Sequence, residues 1–311
     1  MMRRREFIAS IPIISVAAYG QGTPSSRVRK LAPSVYCWMG DRATHQQTNV
    51  GWVVFRDYVL VIDANFPWAA PKIIAEIRKT TDKPIRFVFN THYHADHSYG
   101  NIVFVRAGAS VVATQAFAQE FERYALKDAR DQVKAPPAPH PFQWPLANAS
   151  VRFRDSLIFD DGEQRVELIR KGPAHTSGDA VAYLPRQEIL FVGDLAVNWT
   201  LGNNLSDPEA NYEGWLRALD EMAGWKLKVV VPAHGDLGNA DTLRAQRAYL
   251  DAVFRQVKAG IQQGKPVEQL VRENDLARYK PFGGDARENA DAIRDAYRYY
   301  TSKRRRRRSS C

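Results

Sequence analysis

Residues 91–97 read Thr91-His92-Tyr93-His94-Ala95-Asp96-His97. Three imidazoles and a carboxylate fall within six positions, directly after the apolar run Ile85-Arg86-Phe87-Val88-Phe89-Asn90. That run has the length and the β-branched and aromatic content of a buried strand, which puts the histidines on a loop at a sheet edge. A lone histidine is more often structural. A cluster this dense, mixing imidazole with carboxylate, has the donor chemistry of a site for zinc or a related ion. In an extended or sharply turning loop His92 and His94 point the same way and can share one ion. Asp96 and His97 can then address a second.

One loop cannot close two metal sites, so further ligands are expected at the ends of other buried strands. Three candidates stand there. His175 lies in Gly172-Pro173-Ala174-His175-Thr176-Ser177-Gly178-Asp179, Asp194 ends Phe191-Val192-Gly193-Asp194, and His234 follows Val231-Pro232-Ala233. Taken singly, each would be an ordinary turn or capping residue. With the first cluster they make a set of seven. Gly178 and Asp179 read either as support for the loop that presents His175 or as a plain cap.

Working outward, strands are expected at 35–38, 49–55, 58–63, 85–90 and 109–113, with several short ones in 151–194 and another at 227–231. Helical spacing marks 71–79, 115–131, 212–222, 240–263, 266–274 and 286–299. Residues 136–145 hold five prolines and read as a loop. Strands and helices alternate in two blocks, the pattern of one α/β domain with two sheets packed face to face between helices.

The 311 residues carry a formal net charge of +10. Six of those charges lie in residues 303–308 and a net two in residues 3–6; removing both leaves a body near +2. The basic balance is therefore no argument for a nucleic-acid surface. Two cysteines, Cys37 and Cys311, exclude a disulfide scaffold and an all-cysteine zinc site, and sequence leaves their pairing open. No apolar run approaches the roughly 20 residues that span a bilayer. Residues 1–20 read as an export signal: Arg3, Arg4 and Arg5, a short apolar stretch, then Ala18-Tyr19-Gly20. Arg4-Arg5-Glu6-Phe7-Ile8 resembles the twin-arginine export motif, which implies a periplasmic or secreted protein, released from the membrane once the signal is removed. The expected organisation is signal (1–20), folded domain with C-terminal helices (21–302) and a disordered basic tail (303–311).

HxHxDH, a distant histidine, a Gly-Asp pair and Ala-His-Gly, in that order, resemble the motif series of the metallo-β-lactamase superfamily over residues 30–240. The resemblance implies an αββα sandwich with metals at one edge. It implies that His92, His94 and His175 hold one metal and Asp96, His97 and His234 the second. Asp194 would bridge the two, and Asp63 would support the site without ligating. Two zinc ions are the implied cofactors, with manganese or iron as alternatives at an aspartate-bridged site. His45 and His140 match no motif; they read as a surface residue and part of the proline-rich loop.

An aspartate at the bridging place resembles glyoxalase II, ribonuclease Z, lactonases and related hydrolases, where zinc β-lactamases carry cysteine or serine. Residues 175–195 resemble exported zinc metallohydrolases linked to sulfur-oxidising or quinoprotein systems. The implied function is an exported dinuclear zinc hydrolase cleaving a small ester, thioester, lactone or amide, with Asp96 holding an ion and orienting the nucleophile. The alternatives are a β-lactamase, a ribonuclease-Z-type phosphodiesterase and a non-catalytic metal-binding protein. The expected partner is a small-molecule substrate. Asn65-Phe66-Pro67-Trp68 reads as a flap over the metals or as core, and Tyr93, Asn198, Trp199, Asn203 and Asn204 as candidate pocket residues.

Overall fold

A computed structural model describes residues 27–41, 48–125, 127, 145–198, 205–279 and 284–309. The export-signal segment, His45, His140, Trp199, Asn203, Asn204, Cys311 and residues 136–144 lie outside them.

Among the described residues twelve strands form two sheets. The first orders β1 (Val28–Ala32), β2 (Val35–Trp38), β3 (Val50–Val54), β4 (Val59–Ile62), β5 (Ile85–Phe89), β6 (Ser110–Thr114) and β7 (Val151–Phe153) side by side. The second runs β12 (Val229–Pro232), β11 (Ile189–Gly193), β10 (Ala180–Leu184), β9 (Arg165–Arg170) and β8 (Ser156–Asp160). Pairing is parallel from β4 to β7 and between β11 and β12, and antiparallel elsewhere.

Period-two alternation of the strands builds the layers. Val59 and Val61 of β4 face one core, and Leu60 and Ile62 face the other. In β11, Ile189 and Phe191 face the inter-sheet core while Leu190 and Val192 face outward. Helix α1 (Ala70–Thr80), with Pro71 in its first turn, buries Ala70, Ile73 and Ile77 on the outer side of the first sheet. The short α2 (Ala95–Ser98), α3 (Asn101–Arg106) and α4 (Gln115–Glu120) follow in that half. Helices α5 (Tyr212–Ala223) and α6 (Ala240–Gln262), capped by Asn211 and Asn239, cover the second sheet together with α7 (Val267–Glu273) and α8 (Ala286–Ser309). The result is the expected four-layer αββα sandwich.

The structure differs from or extends the sequence reading at three elements. The helix expected over 115–131 is α-helical over Gln115–Glu120, then widens into a π turn at Phe121–Ala125; residues 126 and 128–131 lie outside the described residues. Strand β1 is an edge strand whose Arg29 and Lys30 are exposed, which hid it from an apolar-run reading. The last helix passes residue 299 and reaches Ser309. Cys37 is a free thiol in the inter-sheet core. Among the described residues no helix is long and apolar enough to cross a membrane.

The parallel strands deliver their C-terminal ends to one edge of the sandwich, where backbone bonds join the sheets. Ala180 N donates to Thr91 O at 2.8 Å, and Asn49 N donates to Ala233 O at 2.7 Å. Gly193 sits at this seam with φ +57°, and a Cβ there would lie 2.7 Å from the Thr91 Cβ. Gly193→Ala therefore strains the backbone and collides with a buried side chain at once. The expected cost is about 1–3 kcal/mol, read as a lowered midpoint in thermal or denaturant unfolding. An unchanged midpoint would contradict this account of the seam.

Candidate metal centre

All seven expected residues converge at this edge. His92, His94, His175 and Asp194 form one group and Asp96, His97 and His234 a second, the ligand atoms of each group lying within 4.8 Å of one another. Five of the chain's seven histidines are thus gathered in one place. The loop after β5 gives the first cluster, the loop between β9 and β10 gives His175, the end of β11 gives Asp194, and the turn after β12 gives His234.

The Asp194 carboxylate stands between the groups and faces each with a different oxygen. Oδ2 lies 3.5 Å from His175 Nε2 and 3.7 Å from His92 Nε2. Oδ1 lies 3.2 Å from His234 Nε2 and 3.6 Å from His97 Nε2. Asp96 Oδ2 adds to the second group, 3.2 Å from His234 Nε2. The side chains of His94 and Asp96 are 19% and 18% exposed, whereas those of the other five are at most 8% exposed. The mouth of the site therefore opens past His94 and Asp96.

The donor set fits metal. His92 Nδ1 meets the Thr91 hydroxyl at 3.2 Å, while its Nε2 is buried and has no hydrogen-bond partner. Burying an imidazole nitrogen that way is costly unless an ion completes it. The two groups also differ in electrostatics. Burial, with His97 and His94 nearby, pushes His92 well below the ordinary histidine range, and burial with His94 lowers His175 to about 4. Burial opposes charge on His97 and His234 too, yet carboxylates prevail there: His97 is raised well above its usual range by Asp96, Asp63 and Asp194, and His234 to about 10 by Asp194 and Asp96. Burial also works against the charge of Asp194, but His234 and His97 hold it well below the carboxylate range.

Several buried side chains fix this geometry. Asp63 and Asn65 follow β4 with φ of +63° and +54°, a backbone that aspartate and asparagine tolerate better than most residues. The turn aims Asp63 at Thr91 N (2.8 Å), the Thr91 hydroxyl (3.0 Å) and His97 Nδ1 (2.9 Å). Asp179 closes the His175 loop, accepting from Thr176 N and the Thr176 hydroxyl, both at 2.8 Å. Asn49 donates to Pro232 O and Gly235 O, pinning the His234 turn from the opposite sheet. Thr48 donates its hydroxyl to Asp96 Oδ2 at 2.8 Å.

Asp63→Ala strands the Thr91 and His97 donors in a buried place. The expected result is a loss of about 2–4 kcal/mol in stability and about 10–100-fold weaker metal binding. Unfolding curves and chelator competition measure the two, and retention of both would refute the supporting role.

The expected pocket residues fare unevenly. Tyr93 is buried, and its hydroxyl donates to Asp207 Oδ2 at 2.6 Å behind His94. Asn198 donates its amide to Asp236 O and so ties down the His234 turn. Trp68, half-buried, packs against the outer core of the first sheet, and the half-buried Phe66 stacks on it at 4.3 Å. Sequence reading missed Thr48, Asn49 and Asp207. None belongs to a motif, and each meets its partner only through the fold.

The family model of the metallo-beta-lactamase superfamily matches residues 43–234. A linear primary-alkylsulfatase of Pseudomonas sp. is 26% identical over 68% of this chain and 47% of its own length. A type 2 metallo-beta-lactamase of Pseudomonas aeruginosa is 24% identical over 74% of this chain and 86% of its own. Among solved structures, a metallo-beta-lactamase from Pontibacter korlensis superposes with TM-score 0.60 at 23% identity, covering 72% of this chain and 98% of that one. A stereoselective inverting sec-alkylsulfatase from Pseudomonas sp. superposes with TM-score 0.68 at 17% identity, covering 88% of this chain and 50% of that one. The chain thus spans about half the length of the alkylsulfatases it matches, and the structural likenesses speak to the fold. The matched region takes in the first cluster, His175, Asp194 and His234, and on that basis the chain belongs to the metallo-beta-lactamase superfamily.

Proposed function

We propose that the chain is a dinuclear metal hydrolase, with zinc as the favoured ion, acting on a small ester, thioester, lactone or amide. The observation that carries this is the Asp194 carboxylate, with one oxygen turned to each ligand group. His92, His94 and His175 would hold one ion, Asp96, His97 and His234 the other, and Asp194 both. When bound, two such ions supply an activated water near neutral pH and Lewis acidity for the developing charges.

The protein's own part is positional. Asp194 sets the spacing of the two groups. Asp96, at the mouth, orients the attacking water, and Thr48 fixes the rotamer of Asp96. Asp63 and Asp179 keep His97 and the His175 loop in place. Burial of the remaining ligands keeps bulk water from competing.

The alkylsulfatase likeness adds alkyl sulfates to the ester class, and the likeness to type 2 metallo-beta-lactamases supports a β-lactam as the second reading. The test is a panel of a carboxylic thioester, a lactone, an alkyl sulfate and a chromogenic cephalosporin on zinc-loaded protein, each with and without chelator. Chelator-sensitive turnover of an ester-type substrate supports the proposal. Faster turnover of the cephalosporin moves the assignment to the second reading, and turnover indifferent to exhaustive chelation removes it.

We also infer export, on the strength of Arg4-Arg5 and the apolar stretch after them. Replacing Arg4 and Arg5 together by lysine is expected to cut the periplasmic fraction of the full chain in a bacterial host at least about tenfold. Fractionation and immunoblotting measure this, and an unchanged distribution would rule out the twin-arginine route.

A further inference from the structure

Each ligand group contains one histidine whose outward nitrogen meets a buried carboxylate. In the second group this is His97, with Nδ1 on Asp63. In the first it is His94. Its Nδ1 faces the pocket, 3.2 Å from His175 Nε2, and its Nε2 lies 3.1 Å from Asp207 Oδ2. We propose that Asp207 is the positioning residue of the first group, holding His94 in the ring orientation and tautomer that turn Nδ1 to the metal. The proposal rests on the reading of His94 as a ligand.

Three features carry it. The Asp207 side chain is fully buried, so its carboxylate is there for a protein partner and not for solvent. Both of its oxygens are engaged: Oδ2 accepts from His94 Nε2 and the Tyr93 hydroxyl, and Oδ1 accepts from Glu209 N at 2.8 Å. A carboxylate with that many donors has one stable orientation, and a proton kept on Nε2 leaves the Nδ1 lone pair for the ion.

The third feature is the stretch that bears Asp207, which is tied at several points. Tyr212 donates its hydroxyl to Leu205 O at 2.6 Å, and Asn211 N donates to Ala174 O, next to His175, at 2.7 Å. Glu209 Oε1 accepts from the Tyr124 hydroxyl at 2.6 Å and from Arg123 at 2.9 Å, both on the π turn. Residues 205–211 therefore act as a strap. They lock His94 and the His175 loop to one another and to the helix beside them. Such wide turns recur at functional sites, and here the turn supplies the strap's outer anchor.

The test uses the full chain, reconstituted with zinc, as wild type, Asp207→Ala and Asp207→Asn. Zinc affinities come from competition with a chromophoric chelator. Cobalt substitution gives the absorption spectrum of each site, and circular dichroism and thermal midpoints report the fold. The expected result for Asp207→Ala is one zinc site weakened about 10–100-fold, with a changed cobalt spectrum, and the other site within about threefold of wild type.

Should Asp207→Ala not fold, Asp207→Asn carries the test. An asparagine cannot accept at both of its terminal atoms, so one site should weaken at least about tenfold. Two wild-type affinities in the folded variants, or equal weakening of both sites, would overturn the proposal. Wild-type protein that binds fewer than two zinc ions would overturn the ligand reading and, with it, the role of Asp207.

Discussion

Asp194→Ala is expected to abolish hydrolysis, lowering kcat/KM by at least about 10³-fold, or ~4 kcal/mol of transition-state stabilisation. The Asp194 carboxylate faces both ligand groups: His175 and His92 approach one of its oxygens, His234 and His97 the other. Without the carboxylate, buried imidazoles of both groups lose their shared counter-charge. Metal stoichiometry should fall below that of wild type while the core, built from strand and helix side chains elsewhere, stays folded. Steady-state kinetics, metal analysis and circular dichroism on one preparation decide it. A folded Asp194→Ala protein with near-normal turnover would remove the two-ion account.

Stripping the metal should be as damaging to activity, and it should also make stability depend on pH in a defined direction. Without metal, His234 titrates near pH 10 and His97 well above its ordinary value, because the nearby carboxylates outweigh burial. Folded values raised above the unfolded value of about 6.5 mean that their contribution is complete below about pH 6.5 and is lost as pH climbs, for His234 toward 10. Asp194 has the opposite sign: its depressed value stabilises above the ordinary carboxylate range and fails as pH falls through it.

The stripped protein should therefore melt lower at pH 9–10 than at pH 6.5. Zinc uptake at pH 7 must displace the proton on His234, giving proton release in weakly buffered indicator solution. Chelated protein that keeps wild-type activity, or zinc uptake with no proton release, would contradict this.

The chemistry of the site was legible because it is written locally. Imidazole spacing in residues 92–97 and the motif positions of Asp194 and His234 are visible without a fold, whereas His175, expected at a strand end, lies in the loop between β9 and β10. The layers were legible for a similar reason, since β4 and β11 are short apolar runs buried on both faces and β5 is apolar apart from the exposed Arg86. The parts that escaped are relational. Asp207 lies 113 positions from His94, and no local pattern marks it as that histidine's partner. Thr48 and Asn49 look like ordinary polar residues until β3 brings them under Asp96 and the His234 turn. Tyr93 read as a pocket residue because it lies between two ligands, but its ring turns inward to Asp207. The π turn at Phe121–Ala125 is tied to Glu209, 85 residues from Tyr124, and helical periodicity alone does not locate it.

The central claim is that this edge of the sandwich holds two ions, one on each side of Asp194. Anomalous diffraction from crystals grown with zinc, collected on both sides of the absorption edge, tests it most directly. The account predicts two peaks about 3.5–4 Å apart, one beside His92, His94 and His175 and one beside Asp96, His97 and His234. A single peak, or strong peaks only elsewhere on the chain, would contradict it.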